Sequence, residues 1–128
     1  MYTKTTNGIS IRVLPHYESS HSRLNEGLYV FSYHIELINN SDDVVQLMRR
    51  HWTIKHGDGF VEEVEGPGVV GEQPILYPGQ KFEYSSWCQM HAPIGEMHGE
   101  FTMYSPTENS FFDAVVPNFK LIFPAILN

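Results

Sequence analysis

Apolar and polar residues alternate along most of this chain with a period of two. That is the repeat of a β-strand whose two faces meet different surroundings. Ile9, Ile11 and Val13 alternate with Ser10 and Arg12, and Pro15 marks the expected end of this first strand. A polar loop is expected from His16 to Gly27. Tyr29, Phe31, Tyr33, Ile35 and Leu37 then form one face of a long strand, with Ser32, His34 and Glu36 on the other. Asn39 to Asp43 reads as a hairpin turn, because Asn, Asp and Ser side chains bond their own backbone. Val44 to Lys55 is the next expected strand, His56 to Gly59 a turn, and Phe60 to Glu65 the strand after it.

Further on, Phe82, Tyr84, Ser86, Cys88 and Met90 alternate with Glu83, Ser85, Trp87 and Gln89. Met97, Gly99, Phe101 and Met103 alternate with His98, Glu100, Thr102 and Tyr104, and a last strand is expected near Phe111 to Phe119. Helical spacing is not sustained anywhere for more than about a dozen residues. About seven or eight strands at this spacing predict an all-β fold, an antiparallel β-sandwich of immunoglobulin or fibronectin-III type. Trp52 resembles the core tryptophan of immunoglobulin-like domains, but the single Cys88 cannot supply their inter-sheet disulfide, which favours the fibronectin-III variant. A length of 128 residues fits one domain, 1–128, with a core of useful size.

Charge narrows the function. Eight Lys and Arg against fifteen Asp and Glu give a net charge of −7, which disfavours a protein that tracks nucleic-acid phosphates. The chain has no apolar run of transmembrane length and its first residues do not read as a secretory leader, so no membrane association is expected. One cysteine fits a reducing compartment, and the cytoplasm is the expected location.

Glu63 to Pro74 is the segment with the most specific pattern. Gly66, Gly68 and Gly71 stand at G-x-G-x-x-G spacing, with Val69 and Val70 between them. Glycines at this spacing let a backbone approach phosphate closely. A dinucleotide site also needs a helix opening at the glycines, and none starts here. The loop is expected to be a shaped crossover between two sheets. The alternative is an anion nest taking pyrophosphate or a nucleotide, with a divalent cation bridging the neighbouring carboxylates.

Arg50-His51-Trp52, the Glu63–Pro74 glycine motif, Pro78-Gly79, Pro93-x-Gly95-x-Met97-x-Gly99 and Pro117-x-Phe119 follow one another in an order that resembles the ApaG family, also called CorD. The resemblance covers nearly the whole chain. Trp87 and Ala92 depart from the family pattern, where a glycine and a threonine are usual. The resemblance implies a fibronectin-III-like fold and, in bacteria, an association with cobalt resistance and magnesium efflux. It also implies a partner-binding role, since related eukaryotic domains sit in an F-box protein and in a protein that binds DNA polymerase delta. It carries no catalytic residues.

Seven histidines are many for this length. A hairpin pairing His91 with His98 would also pair Gln89 with Glu100, placing His91, His98 and Glu100 within reach of one Co²⁺ or Ni²⁺ ion. The competing expectation is two solvated surface histidines. Cys88 is in phase with the apolar face and is expected to be buried and inert. No nucleophile elbow or paired carboxylate spacing occurs, so neither catalysis nor a cofactor is expected. Trp87 and Tyr104, on one face of the same expected hairpin, together with Arg49 and Arg50, form a candidate patch for a protein partner. Strand edges offer a second route, to a partner or to a homodimer. The function expected is therefore that of a non-catalytic binding module.

Overall fold

A computed structural model describes residues 1–127. The alternating segments form nine strands: β1 (Tyr2–Thr6), β2 (Ile9–Tyr17), β3 (Tyr29–Asn39), β4 (Val45–His56), β5 (Val61–Pro67), β6 (Ile75–Leu76), β7 (Lys81–Met90), β8 (Ile94–Ser105) and β9 (Ser110–Ile122). Short 3₁₀ turns occupy Leu24–Glu26 and Pro124–Leu127. One sheet has the order β1-β2-β3-β7 and the other β5-β4-β8-β9, with β6 paired to β4. All pairings are antiparallel. The sandwich class is as expected. β1 and the two-residue β6 are the strands that the alternation did not mark.

β2 runs through Pro15 and does not stop there. Pro15 lies past Val13, the last β2 residue that β1 covers. Only one neighbouring strand remains at that point, and a missing N–H is tolerated on such an edge. The connection after β3 follows the predicted turn chemistry. The Asn39 side chain, fully buried, donates to the carbonyls of Asp43 and Leu76 and accepts from the backbone N–H and hydroxyl of Ser41. One amide therefore ties the turn to β6 and leaves no buried polar atom of its own unpaired.

The inward faces of the two sheets meet in a core that includes Ile11, Phe31, Ile35, Leu37, Leu47, Phe101 and Phe119. Trp52 lies at its centre, with ring centroids 5.6 Å from Tyr33, 5.9 Å from Phe101 and 6.0 Å from Phe119, all three edge-on to it. β4 bulges between Leu47 and Arg49. The extra residue lets both Leu47 and Arg50 face inward, which a regular strand would forbid for positions three apart.

The sandwich is closed on one flank only. There β9 packs against β1 and β2, with Val115 N–H donating to Thr6 Oγ1 and Lys120 N–H to the Tyr2 hydroxyl. On the opposite flank stand the outer strands β5 and β7, each with one unpaired edge.

The sequence reading needs correction at two connections. The hairpin between β7 and β8 does not exist: β7 pairs with β3, whereas β8 pairs with β4 and β9, so residues 91–93 carry the chain from one sheet to the other. The glycine loop, conversely, does not cross between sheets. β5 and β6 both pair with the same edge of β4, and residues 68–74 bulge out between them. The crossover comes later, at Tyr77 to Gln80.

Candidate functional site at the open flank

The glycine loop is shaped from inside by Arg50. Its Nη1 donates to the carbonyls of Pro67 and Gly68, both at 3.0 Å. Gly66 makes room for that guanidinium, since a Cβ there would lie 3.1 Å from Nη1 and Nη2. Gly68, at φ +60°, is required twice over: a Cβ would also stand 2.2 Å from the Glu72 carbonyl. The loop's N–H groups are largely spent on the protein itself. Gly68 N–H donates to Met48 O, Val69 N–H to Glu72 O, and Glu72 N–H to Val69 O. Among Gly68, Val69, Val70, Gly71 and Glu72 this leaves only Val70 and Gly71 as free backbone donors, a poor cradle for pyrophosphate. Gly71 has the positive φ, +80°, that only glycine takes without strain. Val70 does not: a β-branched residue is held at the strained φ +44° with its side chain in solvent.

Beside the loop the two sheets part. A cleft of about 280 Å³ opens between β5 and β7, floored by Trp52, Ile54, Val64 and Met97 and bordered by Arg50, Tyr33, Tyr84, Ser86 and Trp87. A shallower hollow continues along the same flank past Cys88 to His56, Phe60 and His91. Trp87 borders both. It is 52% exposed, its ring set 4.9 Å from that of His21. Phe60, Val61 and Val70 are exposed at the ends of the same flank. Cys88, 7% exposed, has its thiol pushed up to about 12 by burial and then by the Glu62 carboxylate, so it stays protonated and unreactive at neutral pH.

The residues singled out from the sequence are divided by this topology. Trp87 lies on β7 and Tyr104 on β8, in different sheets, because the hairpin that would have joined them is absent. Tyr104 hydrogen-bonds Asn109 and stacks near Phe111, 5.0 Å away, on the outside of the other sheet. Arg49 is exposed beside the β4 bulge, whereas Arg50 points inward and clasps the loop. The partner patch of Trp87, Tyr104, Arg49 and Arg50 therefore does not form as one surface. Trp87 and Arg50 do share the cleft.

The metal trio is corrected for the same reason. His91 follows β7 and its ring lies 6.3 Å from that of His56. His98 sits in β8 opposite Thr53. Glu100 instead accepts from Nδ1 of His51 at 2.6 Å, and Glu63 and Glu65 flank the other ring nitrogen at 3.6 and 3.8 Å. Nothing in the local sequence announces this pairing, since it depends on the β4–β8 register. Among the described residues, His34, Glu36 and Glu83 are the trio close enough to share an ion. Arg12 and Lys81 already pair with Glu36, and both His34 nitrogens are bonded, to Ser85 and Glu83.

The hydrogen bond to Glu100, and then the nearby carboxylates, hold the His51 pKa above its ordinary 6.5. A raised folded-state value contributes stability that is complete below 6.5 and fades as pH rises through the folded value. Following the His51 ring by NMR should therefore give a midpoint above 6.5 in the native chain. In Glu100→Gln the midpoint should fall toward 6.5, and the loss of stability with rising pH should flatten. An unchanged midpoint in the variant would refute this account.

Comparison with known proteins agrees with the architecture. The ApaG domain family model matches residues 19–105. Protein ApaG of Methylobacterium sp. strain 4-46 is 43% identical over 126 residues, covering 98% of this chain and 96% of that protein. Protein ApaG of Brucella anthropi is 44% identical over 124 residues, covering 97% and 95%. The crystal structure of the ApaA protein of Bordetella pertussis superposes with a TM-score of 0.87 at 36% identity, covering 91% of this chain and 94% of that one. A segment of Bacteroides uniformis β-glucuronidase shares the fold alone, with a TM-score of 0.54 at 14% identity over 84% of this chain and 12% of the enzyme. The Arg50 clasp, the glycine loop and the glycines of β8 are thus features of a chain that belongs to the ApaG family.

Proposed function

We propose that this chain is a non-catalytic, cytoplasmic binding module that takes an extended segment of a protein partner along the flank between β5 and β7. The observation that carries the reading is the open flank itself. Two unpaired strand edges border a hollow lined by the half-exposed Trp87, with Phe60, Val61 and Val70 at its ends. An edge supplies backbone hydrogen bonds to an incoming strand, and neighbouring pockets supply specificity. Glu63 and Glu65 are exposed on β5, so the segment is one with apolar and basic residues. A second copy of this acidic chain is disfavoured by the same charges. The cobalt and magnesium associations implied by the family resemblance then run through the partner.

The test is a photo-crosslinking amino acid placed at Trp87 and, as control, at Leu14 on the far part of the first sheet. Position 87 should give one recurring adduct that Glu63→Lys with Glu65→Lys weakens; position 14 should not. Equal adducts from both positions, indifference to the charge reversal, or an adduct of two copies of this chain would each overturn the proposal.

A further inference from the structure

The inner cleft beside the glycine loop carries chemistry that strand capture does not use. Among the described residues Arg50 is the cation lining it, and none of them lines it with a carboxylate. In a chain with fifteen acidic residues this is a selective arrangement. The two loop carbonyls engage only Nη1 of the guanidinium, and among the described residues its remaining N–H groups meet no acceptor. An arginine offers five donors in a rigid fork suited to a planar carboxylate.

A second polar group is left without a partner at the same place. Tyr84 is 8% exposed, borders the cleft, and its buried hydroxyl has no hydrogen-bond partner among the described residues. Such a group costs free energy unless a ligand or water satisfies it. Burial pushes the Tyr84 phenol well up, with Arg50 drawing it back in part, so it keeps its proton and can donate. Arg50 and the Tyr84 hydroxyl thus converge as donors, while Trp52, Ile54 and Met97 beside them are apolar. A volume of about 280 Å³ is near the lower end of small-molecule sites, roughly 300–1,000 Å³.

We propose that this cleft binds a small carboxylic acid with an apolar body, its carboxylate held by Arg50 and Tyr84 and its body lying between Val64 and Trp87, above the buried Trp52, Ile54 and Met97. Inorganic phosphate fits poorly, because it offers no apolar surface to the floor. The net negative charge of the chain does not forbid an acid here. At physiological salt, exposed charges are screened beyond about 8 Å, and Glu62, the carboxylate lining the adjoining hollow, is bonded to His56 at 2.8 Å. The inference is independent of the protein partner and is read on the purified chain alone.

The experiment is an NMR titration of the full chain with phenylacetate and hexanoate, and in parallel with 2-phenylethanol and inorganic phosphate. The acids should give saturable shifts at the Trp52 indole, the Met97 methyl and the Val64 methyls. The alcohol and phosphate should bind at least about tenfold more weakly, the scale of losing a charge-assisted hydrogen bond. Arg50→Met should weaken the acids by a similar factor. Because that variant also frees the loop, Tyr84→Phe is the second arm: it touches no loop carbonyl and should weaken the acids severalfold with the melting temperature retained. Absence of shifts at about 10 mM acid would overturn the proposal. So would equal affinity for the neutral alcohol or for phosphate, or acid affinity unchanged in both variants.

Discussion

Replacing Trp52 by alanine should cost about 3–5 kcal/mol, the range for emptying a large aromatic site in a packed core. On a chain of this length that lowers the melting temperature by roughly 11–19 °C. Trp52 is 3% exposed and packs against Tyr33 from one sheet and Phe101 and Phe119 from the other. Aromatic pairs at such angles add to simple burial, so the loss exceeds what the removed area alone accounts for. Collapse cannot refill the space cheaply, because the cavity would open to the cleft that Trp52 floors. Trp52→Phe, which keeps an aromatic ring, should cost much less. Paired thermal and urea melts decide it: equal, small losses in both variants would mean that the two sheets are held together elsewhere.

What the sequence made legible follows from where the physics is local. Alternation marks a strand residue by residue, so β3, β4 and β8 were visible, as were the inward set of Phe31, Tyr33, Ile35 and Leu37. Turn chemistry is equally local, and Asn39 to Asp43 behaves as its composition demands. Strand partners are not local. β7 followed by a short Ala92-Pro93 link reads as a hairpin, yet the same link can carry the chain across to the other sheet. Nothing within either strand distinguishes the two, and on that choice hung His91 beside His98 and Trp87 beside Tyr104. Arg50 was a candidate from the sequence, but its inward aim was hidden for a different reason. Counted from Val45 and Leu47 it falls on the outward face, and only the bulge between Leu47 and Arg49 brings it into phase with Trp52 and toward the glycine loop. The glycine motif itself was plain, but whether its N–H groups face a ligand or the protein depends on φ values and partners that spacing does not encode.

Gly99→Ala should be as damaging as the loss of Trp52, although it adds a single methyl group. Gly99 sits mid-strand in β8, opposite Trp52 on one side and Val116 on the other. A Cβ there would lie 2.0 Å from the His51 carbonyl oxygen and 3.2 Å from the Trp52 Cα. Both are backbone atoms of a paired strand, so relief requires β4 and β8 to separate, and that breaks ladder bonds on the strand that carries Arg50 and Trp52. A cost of about 3 kcal/mol or more is expected, at the upper end for overpacking. Gly95, four residues earlier, is the control. Its added Cβ would meet the end of the Met90 side chain at 2.0 Å, and the nearest backbone atom, Lys55 O, only at 3.0 Å. Met90 has rotamers with which to yield, so Gly95→Ala should cost clearly less than Gly99→Ala. Amide exchange gives a second reading, because in Gly99→Ala protection should fall first along β4 and β8 while β2 and β3 keep theirs. Equal stability of the two variants would mean that the sheet relaxes around Gly99 without separating, and the close approach of β8 to β4 would then not be what this glycine is for.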